Sequence, residues 1–285
     1  ELKKLREISR ASRSQEDTGD IADALRRVID HIHNGRRARG IPTGLECVDR
    51  ATLGLRYGRV WVVGASPSVG KSALLLGWAM HMAVRVGLRV AYFSLEMPKE
   101  ELLERGIAQH SGVDGMKIQR GGGEAKFSTR EMVSISDAYG AISEGGLMIF
   151  DATGVSTADI VAKAPALRRE GVEAIFVDHF GLLRHTRAHG TNVVQNMMDS
   201  GQEFKRCAIA NKMGIVVAHQ LSKEATKRQQ QGGEPGMGDL RDCPIEQDAD
   251  VVLFLLRRDY YRKPHARDGR AELFIDKNRN GATGE

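Results

Sequence analysis

Cysteine is scarce. The 285-residue chain has 3 cysteines, Cys47, Cys207 and Cys243. They lie far apart and match no zinc-ligand spacing, which excludes a zinc module and a disulfide scaffold and points to a reducing compartment, the cytoplasm. Aromatic residues are only 5% of the chain, so base stacking is not expected to dominate any grip on nucleic acid. No apolar run is long enough to span a bilayer and no signal peptide is visible, so no membrane partner is expected. No internal repeat is evident. The chain opens on Glu1 rather than Met and stops at Thr283-Gly284-Glu285, as expected for a piece of a longer protein.

What is present suits one large α/β domain, alone or with an appendage: 41% of residues are hydrophobic. The net charge is +5, of which +3 falls in residues 1–40. A basic balance is compatible with polyanionic partners without establishing one. Residues 1–18 are polar and charged and read as a flexible remnant of an upstream region. Within 19–40, Ile21, Ala24, Leu25, Val28, Ile29 and Ile32 recur at helical spacing. Asp20 is a suitable N-cap and Gly35 a suitable stop, so a short amphipathic linker helix is expected. Its apolar face could pack on its own domain or on a neighbouring subunit; the pattern alone leaves both open.

From Ile41 onward, strands and helices alternate. Apolar runs at 60–64, 90–95, 147–150, 174–177, 215–218, 251–256 and 271–275 predict strands. Helical patterns fall near 71–86, 98–111, 128–143, 156–170 and 192–213. Continuous apolar strands separated by helices predict a mainly parallel sheet covered on both faces. Gly121-Gly122-Gly123 reads as a mobile surface turn. Gln229–Gly238 reads as a long polar loop, of the kind that does work in a compact domain.

The chain is organised around Val60–Ser72. A short apolar run ends in the small-residue loop Ala65-Ser66-Pro67-Ser68-Val69-Gly70, and Lys71-Ser72 opens a helical pattern. A polyphosphate needs many donors and little steric bulk, and a helix start supplies unpaired N–H groups and a positive dipole end. Lys71 can reach the β- and γ-phosphates and the Ser72 hydroxyl can hold Mg²⁺. The phosphate-loop pattern is met except at its first place, where Ala65 stands for glycine. That substitution costs little if its φ stays negative.

In a parallel sheet the carboxyl ends of the strands share one edge, and the phosphate loop leaves that edge. Polar residues at the other strand ends are therefore candidates to meet the γ-phosphate. Glu96 fits a general base or a polariser of the attacking water. Asp178, closing Ala174–Val177, fits the acidic residue at Mg²⁺. Gln220 can hydrogen-bond the γ-phosphate or the lytic water. Lys277 and Arg279 follow a strand, and are candidates for a cation supplied to another subunit's phosphates.

The order of these motifs resembles the RecA-like motor domain of replicative DNA helicases of the DnaB type. The residues that carry the likeness are Ile41-Pro-Thr-Gly44, Pro67–Ser72, Phe93-Ser94-Leu95-Glu96-Met97, Val177-Asp178, Gln220-Leu221-Ser222, Asp239-Leu240-Arg241, Ile245–Asp250 and Lys277-Asn278-Arg279-Asn280-Gly281. The resemblance implies a P-loop NTPase core over 41–285, and a homo-hexameric ring that hydrolyses ATP or another NTP with Mg²⁺ between subunits. It implies single-stranded DNA moving through the centre, with primase and a helicase loader as partners in a bacterial or phage-infected cell. Glu96 would be the catalytic base, Arg105 a nucleotide contact and Gln220 the γ-phosphate sensor. Lys277 and Arg279 would reach the next subunit's site. Arg241, Asp242 and Cys243 would lie on the pore loop that grips DNA, and the linker helix would dock on the adjacent subunit. The chain departs from the family pattern at His179-Phe180-Gly181, where Tyr-Leu-Gln is usual, at His219, where Ser is usual, and at Arg241–Pro244, where Arg-Glu-Ser-Gly is usual. A recombinase-like relative that binds DNA without unwinding it is the alternative, and a non-enzymatic nucleotide-binding assembly domain a third reading.

Overall fold

The computed structural model describes positions 21, 25 and 29 and residues 40–124, 126–184, 193–240, 244–262, 268–279 and 281–284, the side chains of 122–124, 193–194 and 244 excepted. The chain divides into two units, 1–39 and 40–285. In the first, Ile21, Leu25 and Ile29 are helical and exposed, four residues apart on one stripe; its other residues lie outside the description.

The second unit is built on a seven-stranded sheet, counted among the described residues. Its strands are β1 (Val60–Ala65), β2 (Arg89–Ser94), β3 (Leu147–Asp151), β4 (Val172–Asp178), β5 (Gly214–Gln220), β6 (Val251–Leu256) and β7 (Glu272–Asn278). The order is β3-β2-β4-β5-β1-β6-β7. β1 to β6 run parallel and β7 pairs antiparallel with β6. The helices are α1 (Glu46–Thr52), α2 (Lys71–Met80), α3 (Lys99–Ser111), α4 (Gly115–Glu124), α5 (Thr129–Glu144), α6 (Thr157–Arg169), α7 (Val193–Asn211) and α8 (Lys223–Gln230).

The sheet is apolar on both faces because helices cover both. All six residues of β1 are buried, and successive side chains point opposite ways. Val60 and Val62 join a cluster with Ile160, Leu167, Phe204 and Ala225 of α6, α7 and α8. Trp61 and Val63 join a second cluster with Leu75, Trp78 and Leu102 of α2 and α3. Trp61 meets Trp78 edge to face at 6.1 Å. Such a pair adds about 0.5–1.5 kcal/mol beyond its buried area, and here it seats the helix that opens at the phosphate loop. Glycine is needed at 64, since a Cβ there would come within 2.8 Å of the Phe254 ring, opposite it in register on β6.

Several boundaries differ from the sequence expectation. The helix expected over 71–86 turns π-helical at His81–Arg85. The glycine run expected as a surface turn lies within α4, whose backbone breaks at Gly121. The first residues of the expected loop 229–238 belong to α8, and Met237–Leu240 form a 3₁₀ turn. The last strand reaches Asn278, so Lys277 lies inside it and only Arg279 follows it. The antiparallel partner β6 supplies that extra length.

Candidate active site

The carboxyl ends of β1, β2, β4 and β5 lie level. Ala65 faces Gln220 across β1 and β5, and Ser94 faces Asp178 across β2 and β4. The loop Ser66–Gly70 leaves β1 here and turns into α2. Gly70 has φ 114°, a left-handed conformation that costs glycine least. No side chain caps α2, which leaves its first-turn N–H groups available to an anion. Ala65 lies in extended β1, so its methyl is accommodated. Ala65 and Val69 turn their side chains into a small apolar cluster with Leu255 under the loop; the part left to them at a ligand is backbone.

A cleft of about 350 Å³ opens above this edge, lined by Ser66, Pro67, Ser68, Gly70, Lys71 and Ser72 of the loop and helix, and by Glu96, Met97, Arg105 and Gln220. Its carboxylate is held in place by the turn after β2: Leu95 N–H donates to the Asp178 carbonyl at 2.8 Å, and the Ser94 hydroxyl donates to the Met97 carbonyl at 2.6 Å. Gln220 is steadied by Leu221 N–H donating to the Ala65 carbonyl at 3.0 Å.

Lys71 is buried, 8% exposed, and Asp178 is 3% exposed. Their closest approach is 3.7 Å, Nζ to Oδ1, an attraction longer than a hydrogen bond. Burial pushes the Lys71 ammonium down, while Asp178 and Glu96 oppose it. The two Asp178 oxygens differ. Oδ2 accepts the Tyr92 hydroxyl at 3.0 Å, whereas buried Oδ1 has no hydrogen-bond partner. Burial first, then Asp178, pushes the Tyr92 phenol well above its usual range, so it stays a donor. His179 Nε2 lies 3.8 Å from Glu96 Oε2. Burial and then the Lys71 charge push this imidazole down to about 4, so at neutral pH it is uncharged and forms no ion pair with Glu96.

The residues fit a magnesium nucleotide. Among the described residues no group of three or more His, Cys, Asp or Glu could hold a metal by themselves. Mg²⁺ commonly uses one or two protein ligands and the substrate phosphates. Ser72 and the partnerless Oδ1 of Asp178 would hold it; when bound it would neutralise charge on the β- and γ-phosphate oxygens.

Lys277 and Arg279 are not in this cleft. Asn278 pairs with Val251, at the amino end of β6, and Arg279 N–H donates to the Asp250 carbonyl at 2.9 Å. Arg279 is thus level with the start of β1, and the phosphate loop with its end, roughly 20 Å away for six residues at about 3.3 Å each. Lys277 Nζ donates to the Glu246 carbonyl at 2.6 Å and Arg279 Nη2 to the Gln247 carbonyl at 3.0 Å. The expected DNA contacts Arg241, Asp242 and Cys243 lie outside the described residues.

Two features escaped the sequence reading. Tyr92 is the first; a lone phenol in a buried strand beside the one ending in Asp178 was the available signal. The second is a polar buttress under the loop. Ser66 Oγ donates to Gln229 Oε1 at 2.8 Å and lies 3.0 Å from Thr226 Oγ1, tying the loop to α8. Nothing in the sequence of α8 signals that contact.

Comparison with known proteins agrees with this geometry. The family model of the DnaB-like helicase C terminal domain matches residues 40–285. The chain is 33% identical over 271 residues to the replicative DNA helicase DnaC of Bacillus subtilis, covering 93% of this chain and 58% of that protein. It is 32% identical to the replicative DNA helicase DnaB of Geobacillus stearothermophilus, with the same coverage. It therefore spans under two thirds of the length of these relatives. Among solved structures it superposes on the ATPase domain of G40P with a TM-score of 0.84 at 30% identity, covering 94% of each chain. It also superposes on a DnaB-like replicative helicase described with its interactions with primase, with a TM-score of 0.82 at 30% identity, covering 99% of this chain and 67% of that one. With its phosphate loop, its strand-end carboxylates and its RecA-like sheet in one register, this chain belongs to the DnaB-like helicase C-terminal domain family.

Proposed function

We propose that the chain is the motor part of a ring-forming replicative DNA helicase, hydrolysing ATP or another NTP with Mg²⁺ at seams between copies and moving along single-stranded DNA. The observation that carries this is the separation of charges. The cleft holds Lys71, Ser72, Glu96, Arg105 and Gln220 on one edge of the sheet, while Lys277 and Arg279 are anchored on the other. A phosphoryl-transfer site gains greatly from a cation at the γ-phosphate, and no strand-length move within one chain brings Arg279 there. A second copy can.

In this reading backbone N–H groups of 66–72 cradle the phosphates, and Lys71 balances the β- and γ-charge. Glu96 takes the proton of the attacking water, and Gln220 contacts the γ-phosphate. Glu96 is half-exposed, and a neighbouring copy would exclude bulk water from it. Arg105 contacts the nucleotide, and Arg241 with its neighbours grips DNA phosphate. The exposed stripe Ile21, Leu25 and Ile29 supports docking of the linker helix on an adjacent copy. Hexamer formation, primase and loader contacts and a bacterial or phage-infected cytoplasm are proposed from the kinship. No described helix is long and apolar enough to cross a membrane.

The test is strand displacement on a forked duplex. The proposal predicts hydrolysis stimulated by single-stranded DNA and displacement of the duplex strand by the assembled ring. Stimulated hydrolysis without displacement, from the full-length protein, would favour a recombinase-like ATPase.

A further inference from the structure

A second cleft of about 410 Å³ lies at the amino edge of the sheet, lined by Tyr57, Arg59, Lys205, Ile209, Lys212 and Arg279. Three of these cations, Arg59, Lys205 and Arg279, gather around a single buried carboxylate. Asp250 is fully buried, and its two oxygens are both occupied. Oδ1 accepts Arg59 Nη1 at 2.6 Å. Oδ2 accepts Lys205 Nζ at 2.6 Å and Val60 N–H at 2.9 Å. Burial alone would raise this acid, but Lys205, the Val60 amide and Arg59 hold it below its usual range. Arg279 Nη1 stands 3.7 Å from Oδ1, beyond hydrogen-bond reach, and its side chain is 44% exposed.

A buried carboxylate oxygen without a donor is costly, and an arginine beside it would close on it as a fork. Arg279 is the cation placed to do so, since its own backbone is pinned to the Asp250 carbonyl. Instead its Nη2 donates to the Gln247 carbonyl at 3.0 Å, while the carboxylate beside it is already satisfied by Arg59, Lys205 and the Val60 amide.

We propose that Arg59 and Lys205 are positioning residues: by occupying both oxygens of Asp250 they stop Arg279 from closing on that carboxylate and leave it for a γ-phosphate held by a neighbouring copy. This rests on the reading that Arg279 acts on another copy's nucleotide.

The experiment measures steady-state hydrolysis by the assembled chain with Mg-ATP and single-stranded DNA. Arg59→Met frees Oδ1, draws Arg279 in, and lowers kcat by at least ~10-fold, a part of what removing such a cation costs. KM holds, because the nucleotide cleft is on the opposite edge. Arg59→Lys, which still donates to Oδ1, keeps most of the activity. Adding Asp250→Asn to Arg59→Met removes the charge that captures Arg279 and recovers turnover; a merely structural role for Arg59 predicts a double variant worse than either single one. If Arg59→Met does not fold, Lys205→Met is the second variant: it removes one of two donors on Oδ2, leaves the Val60 amide there, and is expected to lower kcat in the same direction by less, an unchanged kcat overturning the role of Lys205.

Mixing copies separates this inference from the reading beneath it. Arg279→Ala mixed with Glu96→Gln regains hydrolysis if the cation acts in trans, and Arg59→Met mixed with Glu96→Gln then regains it too. Recovery in the first mixture only, wild-type kcat in Arg59→Met, or no recovery in the double variant overturns the role of Arg59. Recovery in neither mixture overturns the trans reading itself.

Discussion

Asp178 divides its work between two oxygens. The Tyr92 hydroxyl holds Oδ2, and Oδ1 is left toward Lys71. Tyr92 is itself fixed by stacking on Phe176 at 6.0 Å, so the carboxylate is aimed by the core. Tyr92→Phe would leave a buried oxygen unsatisfied and is expected to lower stability by about 1–3 kcal/mol, read from the urea midpoint. In the proposed reading Glu96 is the base for the attacking water. Glu96→Gln keeps the size and removes the base, so turnover is expected to fall by about 10²–10⁴-fold while nucleotide affinity holds. Lys71→Ala is expected to lose both, because the buried ammonium both binds and stabilises charge. Nucleotide binding and single-turnover hydrolysis separate the two variants.

At the scale of elements, the starts of α2, α3, α5, α6 and α7 were legible, whereas α1, α4 and α8 were not expected and helix partners were not legible. Ser128 and Glu131 form a capping box at the start of α5, with Glu131 accepting from Ser128 N–H at 2.7 Å. Lys117 reaches the same carboxylate at 2.7 Å. Lys117 first, then Ser128, pull the Glu131 acid down to about 2 from 4.5. Its stabilising share is therefore whole above pH 4.5 and fades as pH falls toward 2. Glu131→Gln is expected to flatten the melting temperature between pH 5 and 3 relative to the parent, and an unchanged slope would place the effect elsewhere. The strand ends were legible because a buried parallel strand is a continuous apolar run that stops where polar chemistry begins, as at Glu96, Asp178 and Gln220. Tyr92, the Ser66–Gln229 contact and the Asp250 cluster were not, because each joins residues that only the sheet order makes neighbours. The reach of β7 to Asn278 depended on pairing with β6, which no local pattern announces.

At the scale of the whole molecule, the proposed reading gives the sheet two working edges, each used by one chain for a different copy. In that reading phosphates bind at the carboxyl edge, and at the amino edge Arg279, 44% exposed, leaves the Gln247 carbonyl for a neighbour's phosphate. A part that works this way needs an assembly, so the proposal predicts that hydrolysis per copy rises with protein concentration across the assembly transition. The grip on single-stranded DNA is expected to weaken with salt, since ionic bonds to phosphate dominate and stacking aromatics are few. Arg241→Ala is expected to reduce that salt slope by about 0.7, the share of a single neutralised phosphate on one strand, measured by fluorescence anisotropy.

The most direct test is a structure of the assembled protein with Mg-ADP and aluminium fluoride. The account predicts the fluoride between Lys71 and Gln220 of one copy, with the Arg279 guanidinium of another copy in hydrogen-bond contact. A fluoride touched only by residues of its own chain, with Arg279 still resting on the Gln247 carbonyl, would contradict it.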